Sequence, residues 1–145
     1  MTNNHELFHS IQQLSRHLSK YINEVLQPYG LYSAQWSVLY TLKTVGSLTQ
    51  AELCDYLSVK APSMSRMTQR LIKQGYVAYH LGEDKRKKHL SLTDKALQEY
   101  PLWEQSVLTE NQQLAATLPQ PSREQLHLLI AGWNKQLKRR RNEHE

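Results

Sequence analysis

Residues 49–75, TQAELCDYLSVKAPSMSRMTQRLIKQG, and residues 76–93, YVAYHLGEDKRKKHLSLT, decide the fold. Thr49-Gln50-Ala51-Glu52 opens the first stretch as a capping box. The Thr49 hydroxyl is placed to accept from the Glu52 amide, and the Glu52 carboxylate to reach back to the Thr49 amide. The box predicts a short helix carrying Leu53, Tyr56 and Leu57 inward, with a pause at Ser58-Val59-Lys60. A second helix follows, in which Pro62 suits a first turn and Gly75 supplies the C-terminal cap. Met64, Met67 and Leu71 recur at spacings of three and four, which buries one stripe and turns Ser63, Arg66 and Arg70 elsewhere. The pattern is helix, tight turn, helix.

After Gly75 the period becomes two. Val77, Tyr79 and Leu81 alternate against Ala78 and His80, and Gly82-Glu83-Asp84-Lys85 forms a turn. Lys88, Leu90 and Leu92 then resume the alternation, so a two-stranded β-wing with a charged tip is expected.

Helices are expected on both sides of this unit. Upstream, Ile11, Leu14, Leu18, Tyr21 and Val25 continue a stripe begun at Leu7, on a helix stopped by Pro28-Tyr29-Gly30. That stripe serves either the chain's own core or a partner helix. A second helix starts near Ser33 and runs through Trp36, Val38, Leu39, Tyr40 and Leu42 to Gly46. Downstream, Thr93 caps a helix holding Leu97, Val107, Leu108, Leu114 and Leu118, which Pro101 should kink or break. Pro119-Gln120-Pro121 ends it. Ser122 and Gln125 have the spacing of a second capping box, ahead of a stripe of Leu126, Ile130, Trp133 and Leu137 that runs into Lys138-Arg139-Arg140-Arg141. For that arginine run, a solvated helix end with favourable dipole placement is preferred to DNA contact. The fold class is mainly α, and the 145 residues read as one domain without internal repeats.

Charge narrows the partner. The chain carries 18 Lys plus Arg against 13 Asp plus Glu, a net of +5, with an isoelectric point near 9.4. Residues 60–95 hold nine Lys or Arg against three acids, a net of +6, so the remainder sums to −1. A positive excess confined to a helix-turn-helix and its hairpin suits displacement of counterions from DNA phosphates. A membrane-surface helix would instead pair its basic face with a broad apolar one. The exposed side of the second helix, with Lys60, Pro62, Ser63, Ser65, Arg66, Gln69 and Arg70, fits a major groove. The narrow tip, Asp84, Lys85, Arg86 and Lys87, fits a neighbouring minor groove, with Asp84 orienting Arg86. Thr49 and Gln50 cap the start of the helix-turn-helix.

Other classes lack their residues. G-x-S-x-G, G-x-x-x-x-G-K-[ST] and H-E-x-x-H are all missing, so the chain reads as no enzyme and needs no cofactor. Cys54 is alone, which excludes an internal disulfide, and no Cys/His cluster marks a zinc site. His5 and His9, four residues apart, read as exposed polar residues rather than a metal pair. The N-terminus has no leader pattern and no segment has the length of a membrane span, so a cytoplasmic protein is expected.

Three segments carry a family resemblance: Leu48-Thr49-Gln50-Ala51-Glu52-Leu53; Ser65-Arg66-Met67-x-x-Arg70-Leu71-x-x-x-Gly75-Tyr76-Val77; and Asp84-x-Arg86-x-x-x-Leu90-x-Leu92-Thr93. They resemble the MarR (multiple antibiotic resistance regulator) family, the wing motif most specifically. The resemblance implies a winged-helix homodimer on a pseudo-palindromic operator. Helices at about 5–28 and 94–141 would intertwine, a reading head would span about 33–93, and its helix-turn-helix would span 49–74. It also implies a recognition helix from Ala61 to Gln74, a wing-tip arginine at Arg86 held by Asp84, and repression relieved by a small effector. Tyr21, Tyr32, Trp36, Tyr40 and Trp103 are candidates to line an aromatic effector pocket, against the plainer reading that each packs a core. Some members sense peroxide with a cysteine near the start of the first helix. Cys54 is not there and reads as a small buried hydrophobe. The rival function is a winged helix used as a protein-interaction module without specific DNA binding. Its wing would expose apolar residues, and the Lys/Arg tip favours DNA.

Overall fold

Asn3 begins the described part of the chain, residues 3–144 of a computed structural model, and its side chain accepts from the Glu6 amide as the cap of the first helix. Helix α1 (Asn4–Leu26) ends in a 3-10 turn (Gln27–Tyr29), after which Gly30 adopts a left-handed conformation at φ +71°. Next come α2 (Ser33–Thr44), β1 (Leu48–Thr49), α3 (Gln50–Leu57), α4 (Ala61–Lys73), β2 (Val77–Leu81) and β3 (Lys88–Leu92). Helices α5 (Asp94–Ala115) and α6 (Gln120–Glu143) complete the order.

The chain divides into two compact units, one reaching to Val107 and the other beginning at Leu108. The core of the first collects Leu26, Leu31, Val38, Leu39, Leu53, Met64, Leu71, Val77, Leu90, Tyr100 and Trp103, all 2% exposed or less. Every element from the end of α1 to the middle of α5 contributes to it. The helix-turn-helix is therefore clamped between neighbours on both sides in sequence.

Several expectations are corrected. The two-stranded wing forms as β2 and β3, and the sheet extends beyond it, because Leu48 and Thr49 pair antiparallel with Leu90 and His89 and give a three-stranded order β1-β3-β2. Two extended residues before a cap are too few to show a period-two pattern. Tyr56 does not point inward but is 53% exposed. At about 100° per residue, Leu53, Leu57 and Cys54 make one continuous arc, and Tyr56 falls to the side of it. On α5 the buried stripe is Ala96, Tyr100, Trp103 and Val107, whereas Leu97 and Leu108 are exposed. Helix α5 also continues through Pro101 without a break. The proline removes one amide on an exposed side, while buried residues before and after it hold the helix in place.

Ser122 does not cap α6. The helix starts at Gln120 with Pro119 as its extended N-cap residue and Pro121 in its first turn, where a missing amide costs nothing. Leu126, Ile130, Trp133 and Leu137 on α6 are all exposed, as are Leu7, Ile11, Leu14 and Leu18 on α1. The chain's own core takes only the last part of the α1 stripe, around Ile22, Val25 and Leu26. No helix among the described residues is long and apolar enough to cross a membrane.

Candidate nucleic-acid interface

The turn between α3 and α4 depends on Ser58, which closes α3 in a left-handed conformation at φ +55° while the Val59 amide donates to the Cys54 carbonyl at 3.0 Å. Serine tolerates this region less well than glycine, so the turn holds because α3 and α4 are both anchored in the core. Helix α4 buries Met64, Thr68 and Leu71 and half-buries Met67. Lys60, Pro62, Ser63, Arg66, Gln69 and Arg70 are exposed, and Ser65 is half-buried. The exposed set therefore covers the solvent side of α4 along its length.

The start of α3 carries the capping box. The Thr49 amide donates to Glu52 Oε1 and the Glu52 amide donates to Thr49 Oγ1, each at 3.1 Å. The Thr49 amide, followed by the Thr49 hydroxyl, holds the Glu52 carboxyl below its ordinary value. Gln50, the next residue, faces inward: its Oε1 lies 3.3 Å from the Thr68 hydroxyl and 3.2 Å from the Tyr79 hydroxyl, both donating. One carbonyl oxygen thus links α3, α4 and β2.

At the far end of α4 a second polar network does similar work. Gln35, 2% exposed, donates from Nε2 to Gln74 Oε1 at 3.0 Å, and Gln74 Nε2 donates to the Gly30 carbonyl at 3.0 Å. Lys95 donates to the Gln74 carbonyl at 2.9 Å, and the Thr93 hydroxyl to the Gly75 carbonyl at 2.6 Å. A buried amide satisfied in this way is costly to remove, so the network fixes where α4 ends. Nothing in the local sequence signals it, because Gln35 and Gln74 are 39 residues apart.

The wing tip is organised by Asp84. Its Oδ1 accepts from the Arg86 amide at 3.1 Å and from Arg86 Nε at 3.3 Å, while its carbonyl accepts from the Lys87 amide at 3.0 Å. The Arg86 amide and then its guanidinium hold the Asp84 carboxyl below its ordinary value, so it is charged at neutral pH. The Arg86 side chain is 91% exposed. Lys85, Lys87 and Lys88 are exposed beside it. The tip presents four cations on a turn braced by one carboxylate.

The candidate aromatic residues do not form one group. Trp36 stacks on Tyr100 at 5.3 Å between centroids and touches Tyr40, and Trp103 meets Tyr100 and Tyr76 edge-on. Trp103 is 1% exposed, whereas Tyr40 is exposed. Burial raises the hydroxyls of Tyr76 and Tyr100 to about 12, so both rings stay neutral. Tyr32 stands apart under the Arg70 guanidinium, and Tyr21 is half-buried on α1. His5 and His9 stack at 6.4 Å, and among the described residues no group of three or more His, Cys, Asp or Glu is placed to hold a metal. Cys54 is half-buried.

A helix-turn-helix followed by a hairpin wing on a small antiparallel sheet defines the winged helix-turn-helix class of proteins, and here its exposed helix and wing carry basic side chains. The MarR family model matches residues 29–87. An uncharacterised HTH-type transcriptional regulator of Bacillus subtilis, YwoH, is 48% identical over 97 residues, covering 67% of this chain and 71% of that protein. The HTH-type transcriptional repressor MdtR of the same organism is 33% identical over 87 residues, 59% of this chain and 56% of that one. Among solved structures, a cysteine-to-serine mutant of Escherichia coli MarR complexed with operator DNA superposes with a TM-score of 0.77 at 26% identity, covering 87% of this chain and 91% of that chain. The chain belongs to the MarR family of transcriptional regulators.

Proposed function

We propose that the chain acts in the cytoplasm as a homodimer that binds a pseudo-palindromic operator in duplex DNA and represses transcription until a small aromatic effector releases it. The observation that carries this reading is the set of exposed basic and polar side chains on the solvent side of α4 together with the exposed, Asp84-braced tip at Arg86. Lys60, Pro62, Ser63, Ser65, Arg66, Gln69 and Arg70 enter the major groove, where Arg66 and Arg70 reach base edges or phosphates. Lys85, Arg86 and Lys87 enter the adjacent minor groove, and Asp84 keeps the arginine extended toward it.

Dimerisation is supported by the exposed apolar stripes on α1 and α6, which a second copy of the chain would cover. A two-fold dimer would set two copies of α4 about one DNA turn (roughly 34 Å) apart. The repressive sign is supported by the name of MdtR, and the DNA ligand by the operator bound to Escherichia coli MarR. For the effector, the half-exposed ring pair Trp36 and Tyr40 offers a stacking surface, with Tyr21 and Tyr32 elsewhere on the same unit.

The deciding experiment is selection of duplexes from a random pool by the full chain. A recovered motif with two-fold symmetry and half-sites one turn apart supports the proposal. Recovery of no enriched sequence refutes specific binding and favours a protein-interaction role.

A further inference from the structure

Two exposed tyrosines border the basic surface, and each lies beneath a cation. Tyr32, 56% exposed before the start of α2, sits under Arg70, whose Cζ is 5.9 Å from the ring centroid. Tyr79, 43% exposed on β2, sits under Lys88, whose Nζ is 5.7 Å from the centroid. Both separations fall within the range in which a ring quadrupole attracts a cation. A carboxylate would hold these side chains too, but it would cancel their charge, whereas an aromatic face leaves the full positive charge for another anion.

The two rings are tied to the supports of α4. The Tyr32 amide donates to Gln35 Oε1 at 3.0 Å, and Gln35 in turn donates to Gln74 at the end of α4. The Tyr79 hydroxyl donates to Gln50, the residue that also receives the Thr68 hydroxyl of α4. Each seat is therefore fixed relative to the exposed helix it flanks. Long cationic side chains lose rotamer freedom when they settle on a phosphate, so holding them in place beforehand lowers that cost.

We propose that Tyr32 and Tyr79 are positioning residues for DNA binding, seating Arg70 and Lys88 at full charge for contact with phosphates on either side of α4. This inference rests on the DNA-binding reading above and extends it to two residues that do not themselves touch the nucleic acid.

The test measures affinity of the full chain, over a potassium chloride series, for a duplex recovered by wild-type selection. Tyr32→Leu and Tyr79→Leu each weaken binding about two- to fivefold per half-site. Their salt slope stays that of the wild type because no charge is lost. Arg70→Ala and Lys88→Ala instead lower the slope by about 0.9 per half-site. Tyr32→Phe keeps the ring and binds like the wild type. In an Arg70→Ala background Tyr32→Leu has no further effect, and the same holds for Tyr79→Leu in Lys88→Ala. Leucine variants that bind like the wild type overturn the proposal, as does a penalty undiminished when the partner cation is gone. Both tyrosines are exposed, and melting curves identify any variant that fails to fold, in which case the other pair decides. A wild-type chain that recovers no duplex overturns the DNA reading and this inference together, whereas wild-type binding with independent Tyr and cation effects overturns the inference alone.

Discussion

Replacing Arg86 with alanine separates the wing's role in DNA binding from any role in folding. The Arg86 side chain is 91% exposed, and its ion pair with Asp84 at 3.3 Å lies in water. Exposed pairs of this kind contribute little to stability, so the variant should melt within a degree or two of the wild type. Binding is different. Each wing presents one Arg86, and a dimer presents two. Loss of a charged groove contact costs about 1–3 kcal/mol per wing. Loss of two neutralised phosphate interactions should also flatten the plot of log affinity against log salt by about 1.8. Fluorescence anisotropy with a labelled duplex, titrated across a potassium chloride series, reads both quantities, and a second unrelated duplex shows whether the loss is general. An affinity loss with an unchanged salt slope would refute the electrostatic role of the wing, and a loss confined to one duplex sequence would make Arg86 a base reader instead.

Arg66→Ala should alter which sequences are selected from a random pool, because Arg66 is exposed on α4 where base edges are in reach; an unchanged motif with uniformly weaker binding would make it a phosphate contact. Thr49→Ala should lower stability by about 1 kcal/mol through loss of the cap on α3, read by chemical denaturation. The bond from the Thr49 amide, followed by that from the Thr49 hydroxyl, depresses the Glu52 pKa below its ordinary value. The stability that wild type has over Glu52→Ala should therefore be full at neutral pH and close as the pH falls through the lowered value, whereas a gap that persists in acid would disprove the carboxylate's part. Leu14→Glu or Ile130→Glu, each placed on an exposed apolar stripe, should shift sedimentation from dimer to monomer; a dimer that survives both would remove α1 and α6 from the interface. Trp103→Ala should cost about 3–5 kcal/mol, since the ring is 1% exposed and packed on Tyr76 and Tyr100.

Much of the candidate interface was legible because its signals are local. The Thr49 and Glu52 box, the Met64 and Leu71 stripe and the turn at Asp84 each span a few residues, and the physics that creates them acts over the same distance. Misreadings occurred where the same signal admitted two phases. On α5 the order of residues left the buried phase open: Leu97 is exposed while its neighbour Ala96 is buried on the same side as Tyr100, Trp103 and Val107. Likewise Ser122 has the composition of a cap, but Pro119 and Pro121 already satisfy the geometry of a helix start two residues earlier. The seats of Arg70 on Tyr32 and of Lys88 on Tyr79 were illegible, because aromatic and cation lie 38 and nine residues apart and only folding brings them together.

The amino-acid order by itself determined the class of elements, the helix-turn-helix with its charged hairpin, and the concentration of positive charge on residues 60–95. These depend on periodicity, capping and charge count, all of which act between near neighbours. Tertiary structure decided which apolar residues are covered, how Leu48 and Thr49 add a third strand, and how Gln35, Gln50 and Gln74 lock α4 against three other elements. Those outcomes turn on packing volume and on hydrogen bonds between distant residues, which have a defined geometry only once the core has closed.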